Sequence, residues 1–384
     1  MRKRPRIYVL LTYGSFDRYI HEGIFAYLAK HAPDMEIHLE LDYPDNLPQV
    51  SKGIITRVVD AKDVPLLRSY DIPVVNISSL LESSGFPSVI MDNVLMGRLA
   101  AEHLLSRRFH HFAYYGKHSS HASLLHSRSF KQEIEDAGFQ CSTLFHSWEF
   151  NAYRVDPFQK NELRKWITSL PKPIGIFCAS SRYAWEISKI CEGLDLTVGR
   201  EVGILASGND EFYCMTRHPP LSSIDNHPER IGYEAAALLL RLINGKPAPS
   251  APTLIPCTLI ARASSDVFVT DDPYVTMSIK FIRENIGQLI TIQPVVDHLP
   301  LSRDSLERRF RKHLGYTILE TIHLLKVDHL KHLLISTSNA MSDIANAVGF
   351  STAPYMATLF REKVGMTPSE YRRRFQGNTI TSKT

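Results

Sequence analysis

The chain has 384 residues, more than a single core usually serves, so two or three domains are expected. Hydrophobic residues make up 44% and charged residues 22%, an ordinary balance for a soluble protein, and no apolar run approaches the length of a membrane span. Net charge is +4 but unevenly divided: from Val275 onward 15 Lys and Arg stand against 9 Asp and Glu, giving +6, so the first 274 residues carry −2 and a polyanion partner belongs to the C-terminal end.

Met1-Arg2-Lys3-Arg4-Pro5 is basic like a signal peptide, but Arg6 to Leu11 is too short for its apolar region and no small-residue cleavage site follows. Arg6–Thr12 therefore reads as a buried first strand in a cytoplasmic protein. A helix follows with Ile20, Gly23, Ile24, Tyr27 and Leu28 on one face. Further strands are expected at Ile37–Leu41, Gly53–Thr56, Pro73–Ile77, Val89–Asp92, Phe112–Gly116, Ile174–Ala179 and Val202–Ala206. Helices are expected at Leu95–Leu105, Ser127–Ala137, Trp185–Leu194 and Arg230–Ile243. This alternation predicts parallel sheets in an α/β architecture. So many strands exceed one sheet, which implies two lobes, with a break expected near Arg107–His111. The domain runs to residue 263. Residues 264–274, with Ser264-Ser265-Asp266 and Asp271-Asp272-Pro273, read as a linker.

From Val275 to Phe375 strand patterns vanish and helical periodicity holds; the polar tail Gln376–Thr384 is expected to be disordered. Within this domain, residues 275–375, two short helical pairs flank one long helix. In the first pair Val295, Val296 and Leu299 bury a short helix, and Pro300-Leu301-Ser302 turns the chain. Ser302 then caps a second helix, Arg303–His313, that buries Leu306 and Phe310. In the second pair Ile344, Ala345 and Val348 pack a helix, Gly349-Phe350 turns, and Thr352–Glu362 follows with Leu359 and Phe360 inward. Pro354 falls in its first turn, where a missing N–H is harmless. Ile318–Ser336 is the connecting helix. A short helix, a tight turn and a polar second helix present a recognition helix to the major groove.

Ile344-Ala345-x-x-Val348-Gly349-Phe350-Ser351, with Phe360, Gly365, Thr367-Pro368 and Tyr371-Arg372, resembles the signature of AraC-type regulators. Leu301-Ser302, Leu306, Arg308, Phe310 and Gly315 match its first unit. Two departures, Pro300 for Gly and Met356 for Phe, touch packing and turn geometry. The resemblance implies that both recognition helices enter successive major-groove segments of double-stranded operator DNA. Asp304, Glu307 and Arg308 of the first, and Ala353, Ala357 and Thr358 of the second, would then reach the bases, and Thr352 would also lie against the DNA. Arg303, Arg311, Arg361 and Lys363 are placed for phosphates, which position without reading sequence. A lone unit of this kind is often only two packed helices; two in tandem with a basic flank, Arg372-Arg373-Arg374, are not.

Parallel sheets bind ligands beyond the carboxyl ends of their strands. Here those ends carry Asp17 and Arg18, Asp92 and Asn93, Arg128, Ser181 and Arg182, and Asn209 and Asp210. Asp, Asn and Arg supply the donors and acceptors that vicinal hydroxyls need. Singly, Asp17 or Asp92-Asn93 would cap a helix; recurrence at one end of five strands favours a site. Asp92-Asn93 before an Ala-rich helix, Phe112-Ala113-Tyr114-Tyr115-Gly116, Leu221-Ser222-Ser223-Ile224 and Ile231-Gly232-x-x-Ala235-Ala236 resemble the sugar-binding core of LacI-type repressors and periplasmic binding proteins. Where that family usually has Asp after the Val202–Ala206 strand, this chain has Gly208 followed by Asn209-Asp210, in a loop that helps set sugar specificity.

Together the resemblances imply an α/β two-lobed periplasmic-binding-protein-like sensor followed by an all-α tandem helix-turn-helix domain. The expected protein is a regulator, by that reading an activator, of pentose catabolic genes. Its partners would be operator DNA, a small sugar effector (xylose or a related pentose), a second copy in a homodimer and RNA polymerase. No cofactor, metal or membrane is expected. Five widely spread cysteines without a C-x-x-C pair support neither a disulfide framework nor a zinc ribbon, and the loose cluster His118, His121 and His126 reads as a polar loop. Two rivals are an alkyltransferase-like enzyme carrying an AraC-type module and a regulator whose sensor serves only for dimerisation. The first needs a reactive cysteine in a recognisable setting, which Cys178 and Cys257 lack in sequence, and no P-loop, G-x-S-x-G or H-E-x-x-H occurs.

Overall fold

The computed structural model describes residues 4–11, 15–44, 47–146 and 157–375. The expected tail Gln376–Thr384 and the last residue of the expected first strand, Thr12, lie outside them. The described residues pack as two units: those up to 104 together with 110–265, and 105–109 together with those from 266 onward.

In the first unit the chain runs β1 (Arg6–Leu10), α1 (Ser15–His31), β2 (Glu36–Glu40), β3 (Ser51–Thr56), α2 (Val64–Ser69), β4 (Val74–Asn76), β5 (Val89–Met91), α3 (Asn93–Ser106), β6 (His111–Lys117) and α4 (His121–Asp136). It continues through β7 (Cys141–His146), α5 (Pro157–Ser169), β8 (Ile174–Cys178), α6 (Ser181–Glu192), β9 (Val202–Ser207), α7 (Glu211–Met215), β10 (Ser222–Asp225), α8 (Pro228–Ile243), β11 (Thr253–Ile255) and β12 (Thr258–Ile260). One parallel sheet has the order β2-β1-β3-β4; β5 joins its edge through a single bridge from Asn76 to Ser88 and pairs in parallel with β11. The other sheet has the order β12-β10-β9-β8-β6-β7, parallel except for β12. Unbroken apolar runs such as Ile174–Cys178 suit strands covered by helices on both faces.

The lobe break falls earlier than the expected Arg107–His111. The chain leaves the first sheet after β5, and α3 already packs on the second lobe: a Cβ on Gly97 would lie 2.4 Å from Ser129 Oγ, and Leu104 lies against Gly175 of β8. It returns after β10, because α8 packs on α1. That contact needs two glycines, since a Cβ on Gly23 would meet Glu229 O at 1.9 Å and one on Gly232 would meet Ile20 O at 2.0 Å. The last crossing joins β11 to β12. All three crossings are tied together: the Asp92 N–H donates to Ile255 O at 2.8 Å, and Thr258 Oγ1 lies 3.0 Å from His227 Nε2.

The second unit holds α9 (Pro273–Glu284), α10 (Ile292–Asp297), α11 (Arg303–Leu314), α12 (Ile318–Ser336), α13 (Met341–Ala347), α14 (Ala353–Val364) and α15 (Pro368–Phe375). Its halves repeat at an interval of 50 residues. Ser302 and Thr352 cap α11 and α14 by accepting an amide three residues on. Phe310 and Phe360 are their fully buried anchors. Gly315 and Gly365 end them in the left-handed region, φ 69° and 79°. Thr317 with Glu320 and Thr367 with Glu370 then start the next helices with reciprocal capping boxes.

Residues 264–274 are anchored rather than loose. Ser264 and Ser265 are fully buried, and Ser264 Oγ donates to Ile204 O at 2.6 Å. Phe268 enters the core of the second unit, and Asp272 caps α9 through the amides of Tyr274 and Val275. Within the same unit Arg107, 1% exposed, donates to Asp266 and Asp328 and lies over the Phe268 ring, 5.0 Å from its centre. An arginine is tolerated there because two carboxylates and a ring replace its water.

Candidate functional site

The strand ends of the first unit carry bonded polar groups. After β1, Asp17 is 1% exposed and accepts from Arg57 Nη1, which follows β3, at 3.3 Å. After β5, Asp92 accepts the Leu95 amide at 2.9 Å and caps α3. Asn93 is buried, and its amide nitrogen donates to Ser79 Oγ at 3.0 Å and Met91 O at 3.2 Å. Its oxygen accepts from His126 Nε2 at 2.8 Å. Burial pulls the His126 pKa down to about 3, so the ring is neutral and Nε2 carries the proton.

A second lattice joins the carboxyl ends of β8 and β9 to the first half of β10. Ser181 Oγ donates to Gly208 O at 2.6 Å and accepts the Asp210 amide at 3.2 Å. Asn209 Oδ1 accepts from Ser223 Oγ and from Arg262 Nη2, each at 2.8 Å. Arg262 also donates to Leu221 O and Ser223 Oγ. Gly208 has φ 78°, and a Cβ there would lie 3.8 Å from Ser181 Oγ and 3.9 Å from Asn226 Nδ2. The glycine leaves that volume open between the two polar groups. Asn226, 5% exposed, sits at the second lobe crossing beside Met91.

Asp17, Asp92, Asn93, Ser181, Asn209 and Asp210 are thus held in networks at the strand ends. Arg182 is half-buried beside Ser181. Arg18 points away, exposed and paired with Glu22 at 3.1 Å. Arg128 is exposed in the middle of α4 rather than at a helix start, because that helix begins at His121, capped by Ser120. Arg57, Ser79, His126, Asn226 and Arg262 were not among the expected residues. Applying the strand-end rule to Gly53–Thr56 would have reached Arg57; Asn226 and Arg262 flank strands too short to stand out.

On the second unit Arg303, Asp304, Arg308 and Arg311 are exposed on α11. Glu307 is turned aside: its Oε2 accepts the Ile318 amide at 3.3 Å and so caps α12. On α14 the N-cap Thr352, Thr358, Arg361 and Lys363 are exposed, while Ala353 and Ala357 are half-buried. Thr358 spends its hydroxyl on Pro354 O at 3.1 Å. Tyr355, missed in sequence, is 46% exposed in the first turn of α14, its hydroxyl 3.2 Å from His323 Nε2. Each of the two equally capped helices presents a polar exposed face, the form that a groove-reading surface takes.

A two-lobed sensor with bonded polar strand ends, carried in one chain with paired recognition helices, defines a ligand-responsive transcription regulator. Residues 101–265 match a periplasmic binding protein-like domain and residues 295–374 a helix-turn-helix domain. The chain is 30% identical over 370 residues to the xylose operon regulatory protein of Haemophilus influenzae, covering 93% of this chain and 95% of that one. It is 27% identical over 389 residues to its counterpart in Escherichia coli K12, covering 96% and 97%. Among solved structures it is similar to the xylose-binding transcription activator xylR, with 25% identity and a TM-score of 0.62 over 98% of this chain and all of the other. The chain belongs to the family of xylose operon regulatory proteins.

Proposed function

We propose that this chain is a sugar-responsive, sequence-specific DNA-binding activator of xylose-type pentose genes. The observation that carries this reading is the relationship to a xylose operon regulatory protein along nearly the whole chain, sensor and DNA reader together. The effector is xylose or a related pentose, held between the lobes. Asp17 with Arg57, Asp92, Asn226 and the Ser181–Asn209–Asp210–Arg262 lattice present its hydroxyls with donors and acceptors. Gly208 leaves room where an Asp side chain would stand. Sugar binding closes the lobes about the three crossings and favours the form competent on DNA, by its differential affinity for that form. A homodimer reads paired half-sites and engages RNA polymerase, in the cytoplasm.

An alkyl-transfer activity has little support. Burial pushes all five thiols up, Cys141 and Cys191 to about 12, away from the thiolate a nucleophile needs. Among the described residues no helix is long and apolar enough to cross a membrane. Selection of genomic DNA fragments by the full chain, with and without xylose, tests the proposal. One enriched sequence with paired half-sites, retained more strongly with the sugar, is expected. Retention of random fragments alone, unchanged by any pentose, would refute it.

A further inference from the structure

The second unit contains a cavity of about 400 Å³ that no sugar-binding or base-reading role accounts for, within the size range of small-molecule sites. It lies between the two helix-turn-helix halves, against α12. At its floor Lys326 is 4% exposed and sits over the Phe350 ring, 5.2 Å from its centre. The Lys326 ammonium donates to Gly349 O and, at 3.4 Å, to Gln288 O. Those two bonds explain why a lysine is tolerated there, and they leave its third N–H without an acceptor among the described residues. Among the described residues no carboxylate lines the cavity. The described residues thus offer the buried Lys326 cation no counter-charge, and burial lowers its pKa. Arg303 adds a second cation at the rim.

The walls decide what kind of anion fits. Ile322 and Phe350 are buried, and Leu319, 42% exposed, stands at the edge. Phe350 and Tyr355 meet edge to face with centres 6.0 Å apart. A bare inorganic anion would satisfy the ammonium and waste the apolar walls; a neutral apolar molecule would do the reverse. We propose that this cavity binds a small organic monocarboxylate with an aromatic body, its carboxylate on Lys326 and its ring against Phe350 and Ile322. Arg303 begins α11 and Tyr355 lies in the first turn of α14, so an occupant shares the space next to both recognition helices and competes with DNA. The reader then carries its own inhibitory input, separate from the sugar sensor.

The test is calorimetric titration of the full chain, without DNA, with phenylacetate and with its neutral counterpart phenylacetamide. Saturable binding of one phenylacetate per chain, at least tenfold tighter than the amide, is expected. Lys326→Met should remove that preference. Leu319→Trp, a substitution at an exposed position that narrows the mouth, should weaken phenylacetate at least tenfold, with folding checked by helical circular dichroism and melting temperature. Phenylacetate should also displace a labelled duplex from the wild type at concentrations that leave Leu319→Trp bound. Absence of saturable binding, equal affinity for acid and amide, or unchanged binding in Leu319→Trp would overturn the site. Equal displacement from both proteins would overturn the competition.

Discussion

The sensor and the DNA reader use polar residues in opposite ways. At the strand ends of the sensor Asp17, Asn93, Ser181 and Asn209 are buried or half-buried and bonded to protein partners. On the reader Arg303, Arg308, Arg311 and Arg361 stand exposed on helices whose cores and caps repeat every 50 residues. A neutral sugar offers no charge to grip, so each lobe has to hold its polar groups in place before the lobes close. A duplex brings dense charge, and flexible cations on a rigid scaffold suffice. Recognition by fixed geometry therefore belongs to one end of the chain, and recognition by charge to the other.

The largest expected effect lies in the repeated scaffold of the reader. Phe310→Ala and Phe360→Ala, at equivalent fully buried positions, should each destabilise that unit by about 3–5 kcal/mol while pentose binding persists. Denaturant melts followed by DNA binding and by sugar binding check this; a sensor lost together with the reader would break the separation.

Acid should act on the sensor. The buried His126 ring is held neutral with a pKa of about 3, while the unfolded chain titrates at the ordinary 6.5. Between those values the unfolded state binds the extra proton, so stability falls as pH falls through that window. Going from pH 6.5 to 5 costs about 2 kcal/mol. Urea midpoints at the two pH values measure this, and His126→Gln should flatten the difference. A wild-type sensor indifferent to this change would contradict the buried neutral ring.

Smaller effects follow on DNA. Arg308→Ala should lose about 1–3 kcal/mol of discrimination at one base pair, whereas Arg311→Ala should weaken every sequence alike. Competition binding with single-base operator variants separates the two, and equal losses on specific and random duplexes for both variants would erase the division. Smallest of all, Arg311→Ala should reduce the slope of log affinity against log salt by about 1, and pentose affinity should not respond to salt. A salt-dependent sugar affinity would mean the two modes are less distinct than the geometry indicates.

Much of this contrast was legible in the sequence, for physical reasons. Caps, glycine stops and buried anchors are local signals, so α11, α12 and α14 were expected within a residue or two. The long apolar strands stood out likewise. The short strands β10, β11 and β12 carry too few residues for a periodicity, and with them went two of the three lobe crossings and the residues beside them, Asn226 and Arg262. The lobe break falls earlier than expected because the buried stripe of α3, with Leu95, Met96, Ala100 and Leu104, looks the same in sequence whichever sheet it covers. Glu307 and Arg128 were legible only by type: each is a polar residue on the expected helix, but the fold spends Glu307 on a cap and turns Arg128 to solvent. Tyr355 escaped because aromatic residues read as core.

The bonded strand ends are proposed to form a pentose site coupled to DNA recognition. Calorimetric titration of the full chain with xylose, then arabinose, ribose and glucose, tests it most directly. Saturable heat with xylose or another pentose, greatly weakened in an Arg262→Ala variant that still folds, is the predicted result. Silence from every sugar would contradict the account, leaving a DNA-binding protein whose sensor recognises something else.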